Sequence, residues 1–287
     1  MTTTPSIRRR LIGAALTRYR ENLGYTLDDP ARILECDRSK LSRIETGQRG
    51  IRPRELRQLL TEYGVPAGEQ DALASVAGWT RPLGWWDQHP GMTEQMAEYL
   101  LLESLAAEIM ICAPHLVPDL LQTEDYARAV LAAQPGDLAD EKLDQAIAAL
   151  RERQDSVLDG SRRVSVVLGE AAIRQQAGGT NVKAAQFRHL IELAGDIRGV
   201  ALQVLPFTAG AHAAAAGGPY VIMRFPGTPS LGAVYLPGLS GGAWLADPAD
   251  LTSYLTAFTL ARASALTAPQ TIALLQQITG DQRAPWE

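Results

Sequence analysis

Residues 26–47 leave room for one local arrangement: two short helices broken by a tight turn. Thr26 with Asp29 three residues on reads as a capping box that opens the first helix. Either residue fits as its N-cap. With Thr26 there, Pro30 falls at the fourth helical position and removes one backbone bond. With Asp29 there, Pro30 takes the first position, where its missing N–H costs nothing. Ala31 and Leu34 form the expected buried face. A turn at Glu35 and Cys36 leads to Asp37, the expected N-cap of the second helix. That helix runs over 38–45 and closes at Thr46 and Gly47. Leu41 and Ile44 lie three apart and face the core. Arg38, Ser39, Ser42 and Arg43 then face outward together.

The flanking residues extend this pair into a five-helix bundle. Ile12, Leu16, Tyr19 and Leu23 share one face of a preceding helix, ended by Gly24. Pro53 opens a fourth helix, along which Leu56, Leu59, Leu60 and Tyr63 recur at helical spacing. Charge marks the same region. The chain carries a net charge of −5 over 287 residues. Residues 1–65 hold 13 Lys/Arg against 8 Asp/Glu, whereas residues 66–287 hold 14 against 24. A basic front on an acidic body keeps a nucleic-acid partner in play despite the acidic average. Outward arginines and serines suit the major groove of double-stranded DNA. Arginine is bidentate to guanine, and serine fits either donor or acceptor edges. The blander reading is a small bundle with a solvated basic face.

Residues 78–92 are dense in Gly and Pro and carry Trp79, Trp85 and Trp86. They read as a boundary segment, docked through its indoles because three exposed ones would form a costly apolar patch. Beyond it, 93–112 is expected to be one long helix, with Met96, Leu100, Ala107 and Met110 on a face. A helix follows from Pro118 to about residue 131, and another spans 137–158. The period then changes. Short β-branched runs at 164–168, 201–205, 220–224 and 232–236 are four expected strands. Helices at about 170–177 and 181–194 separate the first two. Two more, at about 247–266 and 269–279, close the chain. The fold class is therefore mainly α with a smaller α/β part: residues 5–77 a five-helix bundle, 78–92 a linker, and 93–280 an α+β domain.

Two stretches resemble known families. "GYTLDDPARILECDRSKLSRIETGQRG" at 24–50, and "SRIETG" within it, resembles the Xre/Cro-type helix-turn-helix of phage repressors. That resemblance implies that Arg38, Ser39, Ser42 and Arg43 are base-reading or groove-facing. It puts Thr26, Lys40 and Arg49 near phosphates. The chain departs from the pattern at Glu35, where the turn usually carries Gly, and at Pro30. "LVPDLLQTEDYARAVL" at 116–131, "RERQ" at 151–154, "QVLPFTAGAH" at 203–212 and "YLTAFTLARASAL" at 254–266 resemble the DUF5753 domain. Such domains follow an Xre-type helix-turn-helix in actinobacterial regulators, including WhiJ-like ones. Asp119 replaces a usual Gly, and Pro237 stands where an acidic residue is common. The resemblance implies transcriptional regulation, in toxin–antitoxin-like pairs with a small DUF397-type protein.

Other classes find little support. None of the four histidines has a metal-ligand spacing, and no nucleophile elbow or phosphate-binding glycine loop occurs. Neither an enzyme nor a cofactor is expected. The loop 205–220, with Thr208, His212 and Tyr220, is the one candidate ligand or partner segment, because loops after strands often carry sites. Cys36 and Cys112 are expected to be reduced thiols of a cytoplasmic protein, and no apolar stretch is long enough for a membrane span. A homodimer on a two-fold DNA site is the expected assembly.

Overall fold

The computed structural model describes residues 6–78, 84–89, 92–134, 139–195, 200–212, 217–226, 231–239 and 241–280. Five helices come first: α1 (Ile7–Asn22), α2 (Asp28–Ile33), α3 (Arg38–Glu45), α4 (Pro53–Glu62) and α5 (Ala67–Ala77). Their core is Leu11, Ile12, Leu16, Leu41, Ile44, Leu56, Leu59, Leu60 and Leu73. Leu23 was expected on the buried face of α1. It is 44% exposed, because α1 ends at Asn22 and Gly24 turns the chain with φ 68°. Arg20 of the same helix is buried.

The second half contains α6 (Glu94–Leu105), β1 (Glu108–Ala113), α7 (Glu124–Ala132), α8 (Asp140–Val157), β2 (Arg163–Gly169), α9 (Glu170–Arg174), α10 (Gly179–Gly195) and β3 (Val200–Leu205). Then come β4 (Tyr220–Arg224), β5 (Gly232–Leu236), β6 (Ala243–Leu245), α11 (Pro248–Ser264) and α12 (Ala268–Gly280). The strands make one six-stranded sheet in the order β3-β2-β1-β4-β5-β6. β1, β2 and β3 are parallel, with Ile109 opposite Val164 and Val166 opposite Leu202. β5 and β6 are antiparallel.

Two of the six strands depart from the sequence reading. The expected helix over 93–112 stops at Leu105, and Glu108–Ala113 is a strand. Ile109, Ile111 and Cys112 are all buried. A strand covered on both faces has no alternation to reveal it, so its apolar run matches a helix equally well. β6 is only three residues long and depends on pairing with β5. The helix expected from Pro118 instead begins at Glu124 behind Thr123; Asp119–Leu121 is a single 3-10 turn. Of the supposed 93–112 face, Met96 is 43% exposed while Leu100 is buried.

The compact units do not follow chain order. One comprises Met1–Leu83, Leu105–Ala107 and Ile222–Tyr254. Within it the Arg10 guanidinium donates to the Trp244 carbonyl at 3.0 Å. The other comprises Gly84–Ser104, Glu108–Val221 and Leu255–Glu287. Here Trp86 is buried and meets Trp85 edge-on at 5.6 Å, consistent with the docking expected of this segment; Trp79 lies outside the described residues.

This second unit is organised around the loop 117–123. Gln186, fully buried, donates to the Leu121 carbonyl and accepts from the Thr123 N–H, both at 2.7 Å. Gln154 donates to the carbonyls of Asp119 and Gln122. Arg153 grips Glu103 with two N–H···O bonds of 2.7 and 2.8 Å and also pairs with Asp119. Burial opposes the Arg153 charge, and the Asp119 and Glu103 carboxylates overcome that cost and hold the guanidinium protonated. Asp119, the departure from the family pattern, thus serves as a second counter-ion. Loop backbone inside a fold needs such partners for its polar groups.

Candidate nucleic-acid interface

The turn between α2 and α3 sets how α3 is presented. The Thr26 backbone N–H donates to the Asp29 carboxylate at 2.8 Å, but the N-cap of α2 is Leu27, neither of the two residues expected there, and it makes no side-chain cap bond. α2 starts at Asp28, so Pro30 is its third residue. The first four N–H groups of a helix have no intrahelical acceptor, so the proline removes no bond there. At the other end Glu35 is left-handed, with φ 49°, and the Cys36 N–H donates to the Ala31 carbonyl at 2.9 Å. This is the glycine-type helix ending, made by a glutamate. The Gln58 amide also donates to the Ile33 carbonyl, satisfying an acceptor of the last turn of α2.

A left-handed conformation costs an L-residue about 1–2 kcal/mol. Glu35→Gly is therefore expected to raise the stability of the first unit by about 1 kcal/mol, after the glycine's greater unfolded entropy. Chemical denaturation checks this; an unchanged or lower stability would show that the glutamate side chain compensates its backbone.

α3 is held from behind. Glu45, at its last position, accepts two bonds from Arg20 of α1 at 2.8 and 2.9 Å and one from the Thr17 hydroxyl at 3.1 Å. Bidentate geometry of this type fixes orientation as well as distance. The Glu45 carboxylate raises the Arg20 pKa above its ordinary value. Gly13 lets the two helices approach: a Cβ there would overlap the carbonyl oxygens of Glu45 and Ile44. Lys40 pairs with Glu55 of α4 at 2.6 Å. Burial works against the Glu55 charge, and Lys40 and the Arg52 N–H outweigh it, lowering the carboxyl pKa. Gly13, Arg20 and Glu45 escaped the sequence reading as positioning residues. The one available signal was a glycine inside a strongly periodic helix, which often marks a close approach.

With its back fixed, α3 turns one face outward. Arg38, Ser39 and Arg43 are exposed and Ser42 is half-buried, while Leu41 and Ile44 are buried. The structure thus brings Arg38, Ser39, Ser42 and Arg43 to one helix, as their spacing predicts. Arg43 lies back along α3, its Nε donating to the Ser39 carbonyl at 3.2 Å. Arg49 follows the helix and is exposed, with its backbone N–H on the Arg43 carbonyl. The Thr26 hydroxyl donates to Asp29, and Lys40 pairs with Glu55.

The second candidate segment is not assembled in the same way. Thr208 is exposed on the short turn Phe207–Ala209, and His212 is half-buried. Tyr220 is 1% exposed, beside the Cys112 thiol. Burial pushes that thiol up to about 11, against a hydrogen bond with Tyr220 that lowers it. Residues 213–216 lie outside the described residues.

An arginine- and serine-bearing helix, fixed from behind and open in front, defines a helix-turn-helix protein of the DNA-binding regulator class. Residues 11–73 match the helix-turn-helix domain family. Residues 96–277 match the domain of unknown function DUF5753. The chain belongs to the DUF5753 family and carries a helix-turn-helix domain ahead of that domain. No curated protein and no solved structure matches it. No described helix is long and apolar enough to cross a membrane.

Proposed function

We propose that the chain is a sequence-specific transcriptional regulator that reads the DNA major groove with α3 and binds a two-fold operator as a homodimer. The observation that carries this reading is the pairing of an outward Arg38-Ser39-Ser42-Arg43 face with a back locked by Arg20–Glu45 and Lys40–Glu55. A recognition helix must be rigid for its side chains to select bases rather than merely touch phosphates. Arg38 and Arg43 are the base-reading candidates, and Arg49 contacts the phosphate backbone. The acidic second half supplies dimerisation and binds an effector or a small partner protein. Its charge keeps that part of the molecule off the phosphates.

Mapping of the bound genomic sites in the host, followed by anisotropy on the recovered operator, tests this. Arg43→Ala is expected to weaken operator binding by about 1–3 kcal/mol while leaving binding to random duplex nearly unchanged. Equal losses on both would make Arg43 a phosphate contact and remove it from the reading set. Binding should also fall steeply with salt. Light scattering at the concentrations of the binding assay checks the dimer.

A further inference from the structure

The first unit contains a pocket of about 320 Å³ beside the DNA-reading helix. Three arginines line it: Arg8 and Arg9 from the first turn of α1, and Arg49 from the segment after α3. Ile12, Ile44 and Ile51 line it as well, and among the described residues no carboxylate does. Among the described residues, neither the Arg9 nor the Arg49 guanidinium has an acidic partner, and both residues are exposed. α1 has no acidic residue in its first turn and places Arg8, Arg9 and Arg10 there. Positive side chains at the positive end of a helix dipole are unfavourable, and an anion would reverse that.

The shape matters as much as the charge. Small-molecule pockets run from roughly 300 to 1,000 Å³ and pair an apolar lining with a few placed polar groups. Ile12 and Ile44 are 3% and 1% exposed, so the apolar surface that the pocket offers is chiefly that of half-buried Ile51. Arginine is suited to bidentate capture of phosphate oxygens.

We propose that this pocket binds a small organic phosphate, its anion held by Arg8, Arg9 and Arg49 and its organic part lying against Ile51. The pocket adjoins the DNA-reading helix. Ile44 belongs to α3, and the Arg49 N–H is bonded to the Arg43 carbonyl. Ligand and duplex therefore compete for Arg49, a consequence that rests on the proposed DNA reading, whereas ligand binding itself does not.

Thermal melts of the full chain at constant ionic strength test the proposal, with phenyl phosphate as probe and benzyl alcohol as its neutral control. Millimolar phenyl phosphate is expected to raise Tm by about 3 °C, and benzyl alcohol not at all. The double variant Arg9→Ala/Arg49→Ala should lose the rise. Because both positions are exposed, its own melt should resemble the parent. Ile51→Glu, which puts a carboxylate at the pocket, should lose the rise independently. No rise in the parent, or an equal rise in both variants, overturns the proposal. If phenyl phosphate has no effect while the double variant loses affinity for duplex, the arginines hold backbone phosphates, and the pocket reading falls with the DNA reading intact. If phenyl phosphate stabilises the parent through these arginines but the parent binds no duplex, the DNA reading falls and the pocket stands.

Discussion

Glu103→Ala is expected to destabilise the second unit by about 3–5 kcal/mol, lowering its Tm by roughly 10 °C. The Glu103 side chain is 1% exposed and the Arg153 side chain 8%. Removing the carboxylate leaves the guanidinium inside the fold with only the more exposed Asp119 and the Tyr99 hydroxyl, at 3.3 Å, as partners. The cost is that of an under-compensated buried charge, not of one lost hydrogen bond. The control separates the two. Glu103→Leu combined with Arg153→Met removes both charges and should recover most of the loss. Calorimetry on the full chain measures both variants. A loss near 1 kcal/mol in Glu103→Ala would mean that water reaches Arg153 freely.

The second large effect is expected from Glu45→Ala, at about 3 kcal/mol. That is the lower end of the range for a broken buried pair, because Arg20 keeps its bond to the Tyr25 carbonyl and its contact with Glu21. The consequence for binding is more specific. Glu45 is the last residue of α3, and its carboxylate ties that helix to Arg20 and Thr17 of α1. Operator affinity should fall further than stability alone explains, measured at a temperature where the variant is fully folded. Unchanged operator affinity in that folded variant would show that Leu41 and Ile44 packing suffices to aim the helix.

Much of the first unit was legible because its signals are local. Thr26 and Asp29, Gly24, Pro53 and the Leu56–Leu59–Leu60–Tyr63 spacing each act within a few residues, and each does in the structure what its chemistry dictates. The outward face of α3 follows from the same 3.6-residue period. The partners of those side chains were not legible. Lys40 carries the same charge whether it faces a phosphate or Glu55, and Arg20 the same charge whether it faces solvent or Glu45. Only the packing of α1 and α4 against α3 separates these outcomes.

The second half shows the same division more sharply. Residues 164–168, 201–205, 220–224 and 232–236 announce strands by β-branched composition, and strands form there. Glu108–Ala113 did not announce itself, because its environment in a covered parallel sheet erases the alternation that would distinguish it.

Local propensity, capping and charge, together with the resemblance carried by residues 24–50, were enough to expect a helix-turn-helix ahead of a helix-rich α/β domain, since each depends on residues close along the chain. The sixth strand, the loop 117–123 held by Arg153, Gln154 and Gln186, and the grouping of Ile222–Tyr254 with the amino-terminal helices required the folded chain. These features join residues that are distant in sequence, and their free energy exists only once the intervening segments have brought the partners together.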